Sequence, residues 1–146
     1  MPVSSFTTTR QVEFAETDMA GIMHFANFYK WMEMTEHEFF RSLGLSIHSK
    51  LDGVDVGWPR VKAACKFKRP LRFEETATIR LSIEEITPKS ISYRFDISKE
   101  EEGEMVSVAR GSVTAVCVTI EAGSGKLSAI NIPTEIREKL EVEVPA

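Results

Sequence analysis

Cysteine is scarce in this chain. There are two, Cys65 and Cys117, far apart and in no C-x-x-C pair. That spacing argues against a zinc site, a dithiol redox site and a disulfide-stapled scaffold, and both read as reduced core thiols. Long apolar runs are missing too. No stretch reaches the ~18 residues a membrane span needs, so none is expected. Met1 to Arg10 is polar, without the apolar centre of a secretory signal, and the reading is a cytoplasmic protein. Positive charge is not in excess: 18 Lys and Arg stand against 22 Asp and Glu, a net charge of −4. Broad nucleic-acid binding wants a basic face, so that class is disfavoured. A small local basic patch for phosphates stays open. Internal repeats and linker-like segments are absent.

What is present fits one domain over residues 1–146. The chain is 42% hydrophobic and 27% charged, enough for a single sizeable core. Phe6 to Phe14 reads as a first strand. A turn follows, and then a helix from about Phe25 or Asn27 to Leu43. Its apolar positions Phe28, Trp31, Met32, Thr35, Phe39 and Leu43 recur at helical spacing. Gly44 stands where a helix stop belongs. Ser46 to Gly57 reads as a loop. Arg60 to Phe67 alternates, with Val61, Ala63, Cys65 and Phe67 on one face. Arg69-Pro70 interrupts as a bend would.

Thr76 to Ile86 and Ser90 to Ser98 alternate as well, placing Ala77, Ile79, Leu81 and Ile83, then Ile91, Tyr93, Phe95 and Ile97, on one side. Lys99 to Glu104 reads as a solvated charged hairpin turn. Met105 to Ile120 reads as one long strand, Leu127 to Ile132 as a short one, and Pro133 to Leu140 as a last short helix. Helices and strands do not alternate, so the class is α+β: an antiparallel sheet with one long helix across a face. Such a layer leaves apolar surface uncovered, which makes an oligomer physically reasonable.

The chemistry concentrates in Glu16-Thr17-Asp18-Met19-Ala20-Gly21-Ile22-Met23-His24-Phe25-Ala26-Asn27. A lone carboxylate, Asp18, sits in a turn that runs into the long helix. A helix start offers unpaired N–H groups and the positive end of a dipole. A carboxylate beside such donors can attack a carbonyl or deprotonate a water, while an amide steadies the oxyanion. The plain alternative is that Asp18 only caps the turn. Gly21 serves either a close approach to ligand or an ordinary tight turn. Asn27 reads as a cap or an anchor for the loop. Glu33 and His37, four apart on the helix, share a face and read as an ion pair rather than a metal site.

The run from Val12-Glu13-Phe14 through Thr17-Asp18-x-Ala-Gly-Ile to Phe25-x-Asn27 and Trp31 resembles the 4-hydroxybenzoyl-CoA thioesterase family of hotdog-fold acyl-CoA thioesterases. Lys68-Arg69-Pro70-Leu71-Arg72-Phe73 and Lys89-Ser90 extend the likeness from about Phe6 to Leu140. It implies an antiparallel sheet wrapped around one central helix, and a homodimer or homotetramer with active sites between subunits. It also implies an acyl-CoA substrate, no metal or redox cofactor, and Asp18 as nucleophile or general base. The Phe25 backbone N–H becomes the oxyanion donor, beside Gly21. Lys89 and Ser90 match a substrate position suited to the phosphates of coenzyme A, and Lys66, Lys68 and Arg69 supply further positive charge for them. Trp58 matches a pocket wall, and Glu33 a position that can line the acyl pocket.

His24 departs from the family. Many relatives carry Tyr-His where this chain has His24-Phe25, so His24 is carried only as a possible pocket residue, and the acyl group stays open. Dehydratases on this fold need a histidine where Asp18 stands. The alternative to an enzyme is a non-catalytic acyl-CoA-binding module of the same fold.

Overall fold

A computed structural model describes residues 1–145. The first strand, β1 (Ser5–Gln11), ends earlier than the sequence suggests, because Phe14–Glu16 closes a 3-10 turn and leaves the Phe14 ring 76% exposed. The long helix α1 (Ala26–Ser42) follows the turn that holds Asp18 and stops at Gly44, whose φ of +76° suits glycine. Residues 46–57 are not simply a loop. They form a hairpin of β2 (Ser49–Leu51) and β3 (Val54–Gly57), reversing at Asp52 and Gly53, both with positive φ. Turn residues of this kind make a hairpin without any apolar periodicity, which is why the strands left no signal.

Four long strands complete the main sheet: β4 (Arg60–Phe67), β5 (Thr76–Ile86), β6 (Ser90–Glu101) and β7 (Glu104–Val116). They pair antiparallel with β1 in the order β1-β5-β6-β7-β4. The long strand expected over Met105–Ile120 breaks at Cys117. Its end, β8 (Val118–Ile120), joins a second sheet in the order β2-β3-β8-β9, where β9 is Leu127–Ala129. A single helical turn, α2 (Thr134–Arg137), is shorter than the expected Pro133–Leu140. No helix among the described residues is long and apolar enough to cross a membrane.

Helix α1 lies across one face of the five-stranded sheet. Its buried stripe is Phe28, Trp31, Met32, Thr35, Glu36, Phe39 and Phe40. Each large apolar member contributes about 1.5–3 kcal/mol by leaving water. The helix reaches both edges: Phe39 meets Phe6 of β1, and Phe28 meets Phe67 of β4. In between it presses so closely on β7 that a Cβ at Gly111 would collide with Met32 Sδ. The alternation of β5 and β6 holds as read, with Ala77, Ile79, Leu81, Ile83, Ile91, Tyr93, Phe95 and Ile97 all buried. Edge strand β4 differs. Its apolar face is largely uncovered within the chain, with Val61 63% and Phe67 47% exposed.

Candidate active site

The turn between β1 and α1 is built by short-range bonds. Thr17 and Met23 form an isolated antiparallel bridge that closes it. Inside, the Asp18 N–H donates to Ile22 O (2.9 Å) and the Gly21 N–H to Asp18 O (3.0 Å). Gly21 has φ +80°, a left-handed turn that side chains resist. Asp18 Oδ1 accepts the Ala20 N–H at 2.8 Å and the Ile22 N–H at 3.5 Å. Asp18 therefore does cap its turn, but with one oxygen. Among the described residues, Oδ2 accepts no hydrogen bond and is free for chemistry.

Glu16 ties this turn to the helix. Its Oε2 accepts the indole N–H of buried Trp31 (2.8 Å), and its Oε1 accepts the Glu13 N–H (2.9 Å). Its backbone oxygen accepts the Asn27 side-chain amide (2.9 Å) and the His24 N–H (2.8 Å). Glu16 is half-buried and is the knot of the loop. A glutamate two residues before Asp18 was the available signal. Asn27 anchors the loop as read.

The helix begins at its cap Phe25, which already has helical φ and ψ of −57° and −31°. Among the described residues the Phe25 N–H donates to no acceptor, while the N–H groups of Asp18, Gly21, Met23 and His24 all do. An open amide at a helix start is a ready oxyanion donor. His24 is exposed. Its ring stacks on that of Phe25 at 4.8 Å, and its Nδ1 accepts the Ala26 N–H (3.2 Å). It behaves as a cap rather than as a wall of the cleft.

Asp18 and Phe25 face one open cleft of about 610 Å³. Its lining combines apolar Ile22, Met23, Phe28 and Phe67 with Lys68, Arg69, Pro70 and Arg72. The segment 68–75 is pinned to the Asp18 turn where the Met23 N–H meets Leu71 O (2.7 Å). Arg69 lies on this segment and lines the cleft, its guanidinium donating to Ser107 O (2.6 Å).

The remaining predicted residues lie elsewhere within the chain. Trp58 is in the core, edge-on to Phe40 with centroids 6.0 Å apart. Lys89 and Ser90 form the turn into β6. The Lys89 carbonyl accepts the Cys117 N–H there, beside Pro59, whose carbonyl accepts the Val116 N–H. That is the Arg60 end of β4, whereas the cleft is at the Phe67 end. Eight extended residues span more than about 20 Å, so no single chain brings Lys89 to Asp18.

Glu33 lies on a smaller cavity of about 140 Å³, with Tyr29, Glu36, Arg60 and Tyr93. It is 3.6 Å from Arg60 rather than paired with His37. Buried Glu36 takes both ends of the Arg60 guanidinium. Burial alone would lower Arg60, but Glu36 and Glu33 hold its pKa above the ordinary value. Tyr93 is pushed well above the usual phenol range by burial and by the Glu36 charge.

One long helix across an antiparallel sheet is the hotdog layout, and the relatives that share it are thioester hydrolases. The chain belongs to the thioesterase-like superfamily, which residues 12–140 match. It is 26% identical over 136 residues to 4-hydroxybenzoyl-CoA thioesterase of Pseudomonas sp. (strain CBS-3), covering 92% of this chain and 96% of that one. The three-dimensional structure of that enzyme superposes with a TM-score of 0.80 at 25% identity, over 93% of this chain and 99% of the other. A gentisyl-coenzyme A thioesterase structure aligns with a TM-score of 0.73 at 31% identity, over 90% of this chain and 99% of the other.

Proposed function

We propose that the protein hydrolyses an acyl-CoA thioester to the free acid and coenzyme A, with Asp18 as the catalytic carboxylate. The observation that carries this reading is the free Asp18 Oδ2 and the unbonded Phe25 N–H meeting in one cleft. Sulfur donates poorly into the carbonyl, so a thioester is electrophilic enough for a single carboxylate. Asp18 either attacks the carbonyl, giving a mixed anhydride that water then opens, or takes the proton of an attacking water. The thiolate leaves, and the Phe25 N–H carries the oxyanion charge in between. No metal or redox group enters this scheme.

The working unit in this reading is a homodimer, alone or paired into a tetramer. Strand β4 has an open edge and an uncovered apolar face, the features by which sheets add strands. Antiparallel pairing of β4 with its copy brings the partner's Arg60 end beside this chain's Phe67 end. Lys89, Ser90 and Trp58 of one chain then approach the Asp18 cleft of the other.

Thiol release from a panel of aromatic and short aliphatic acyl-CoAs tests the activity. Turnover of at least one supports it. Tight binding of acyl-CoAs without turnover would make the protein a binding module instead.

A further inference from the structure

Strand β6 turns Ile91, Tyr93, Phe95 and Ile97 inward, and the next inward position is Lys99, only 5% exposed. Sequence reading put Lys99 in a solvated hairpin; the strand instead runs on to Glu101 and buries it. A buried ammonium is unfavourable unless its protons are bonded. Lys99 Nζ donates to Pro70 O (2.9 Å) and to both Glu75 carboxylate oxygens (3.3 and 3.2 Å). Glu75 Oε1 also accepts the Arg72 N–H (2.6 Å).

Pro70, Arg72 and Glu75 all belong to the segment 68–75, which gives the cleft its basic lining. This segment must cross the ends of β7 and β6, because β4 and β5 are not neighbours. Its start is held at a β-bulge, where Val108 O accepts both the Lys68 N–H (2.8 Å) and the Arg69 N–H (3.1 Å). Its end is held by Lys99. Burying an ion pair seldom adds net stability, and an apolar side chain of similar volume would fill the position as well. What the lysine adds is direction: it fixes a carbonyl, a carboxylate and, through Glu75, a backbone N–H of the crossover. Among the described residues the side chains of Lys68 and Arg72 form no ion pair; both residues line the cleft, and Lys68 also borders a second cavity beside Arg94 and Arg110.

We propose that Lys99 is a positioning residue, holding the crossover so that Lys68 and Arg72 meet the phosphate-bearing end of the thiol carrier. This rests on the acyl-CoA reading and adds a division of labour to it. Asp18 and Phe25 act on the thioester, while Lys99 acts only on recognition of the phosphates, by preorganising two cations that bind them.

The test compares two substrates in the same enzyme: an acyl-CoA that the wild type hydrolyses, and the same acyl group on N-acetylcysteamine, which has no phosphates. Lys99→Met raises KM for the acyl-CoA about tenfold, the loss of roughly one charge-assisted contact. Its kcat stays within about twofold, and KM for the truncated thioester does not move. Lys99→Arg restores most of the affinity. If Lys99→Met does not fold, Glu75→Gln, which keeps an acceptor for the Arg72 N–H, shows the same split at smaller size. Equal KM increases for both substrates, or none for either, overturn the proposal. A wild type that hydrolyses nothing fails the enzyme reading instead. The strut is then read from the affinity for coenzyme A itself, weakened in Lys99→Met while that for phosphate-free pantetheine is unchanged; equal affinities overturn it.

Discussion

Replacing Asp18 by asparagine separates the two jobs of one side chain. The Oδ1 atom accepts the Ala20 and Ile22 N–H groups, and an asparagine keeps that oxygen. The turn should therefore survive, and the thermal midpoint should stay within about one degree, as for an exposed substitution that breaks no bond. What is lost is the charge on the free oxygen. An amide neither attacks a thioester nor takes a proton from water, so kcat should fall about 10²–10⁴-fold if Asp18 is the base, and further if it is the nucleophile. KM should change little, because the cleft walls are untouched. The assay is continuous thiol release at saturating acyl-CoA, alongside thermal unfolding of the same preparation. Asp18→Ala is the control: it removes the cap too and should lose about 1 kcal/mol of stability as well as activity. An Asp18→Asn enzyme with kcat within tenfold of wild type would refute the assignment of the chemistry to this carboxylate.

Three further outcomes follow from other parts of the molecule. Val61→Glu places a charge on the uncovered face of edge strand β4, where the wild-type residue is 63% exposed; the chain should fold normally but run as a monomer in light scattering, with activity lost in parallel. Glu16→Ala strips the acceptor from the indole N–H of Trp31, a residue 1% exposed, and should lower the unfolding free energy in urea by about 1–3 kcal/mol. The Arg80 guanidinium bonded to it, set against a small opposing effect of burial, holds Glu143 down to about 2 from 4.5. A depressed carboxylate stabilises above its unfolded pKa and loses that contribution as pH falls through the folded one. The stability gap between wild type and Glu143→Gln should thus be full above pH 4.5, shrink between pH 4.5 and about 2, and be small throughout because the pair is exposed.

Much of the fold could be read along the chain because its elements follow local rules. Helix α1 has a stop glycine and a helical stripe, β5 alternates as far as its bulge after Ile83, and β6 alternates through Ile97. The errors share one cause: residues whose role is decided by distant partners. Phe14 looks like a strand residue, but Glu16 and Asn27 draw the chain into a 3-10 turn toward the helix. Lys99 looks like part of a charged hairpin, and only the crossover 68–75, twenty-odd positions earlier, supplies the acceptors that bury it. Asp18, Phe25 and Arg69 converge on the cleft because the turn and the crossover are stapled at Met23 and Leu71. No pattern within either segment announces that bond. Lys68 and Arg72 stand in the stretch that carries the family likeness, but only the fold brings them to the cleft, and Phe67 looked like an ordinary strand residue.

The position of Lys89 makes a stricter demand. Within one chain it sits at the Arg60 end of β4, and the cleft sits at the Phe67 end. A single chain cannot use both, whereas a two-fold pair can. Mixing two defective chains decides between these arrangements. On the proposed reading, Asp18→Asn dimers should lack the working carboxylate, and Lys89→Ala dimers should keep it but bind acyl-CoA weakly. In a mixed dimer with sites shared between chains, one site combines an intact Asp18 from the Lys89→Ala chain with an intact Lys89 from the other. That site is wild type, and its partner is doubly defective. Mixing after mild denaturation should therefore recover a population with wild-type KM, about half of the dimers by random pairing and each with one working site. If Asp18 and Lys89 serve the same chain's cleft, every active site in the mixture still lacks Lys89, and no low-KM component emerges at any mixing ratio.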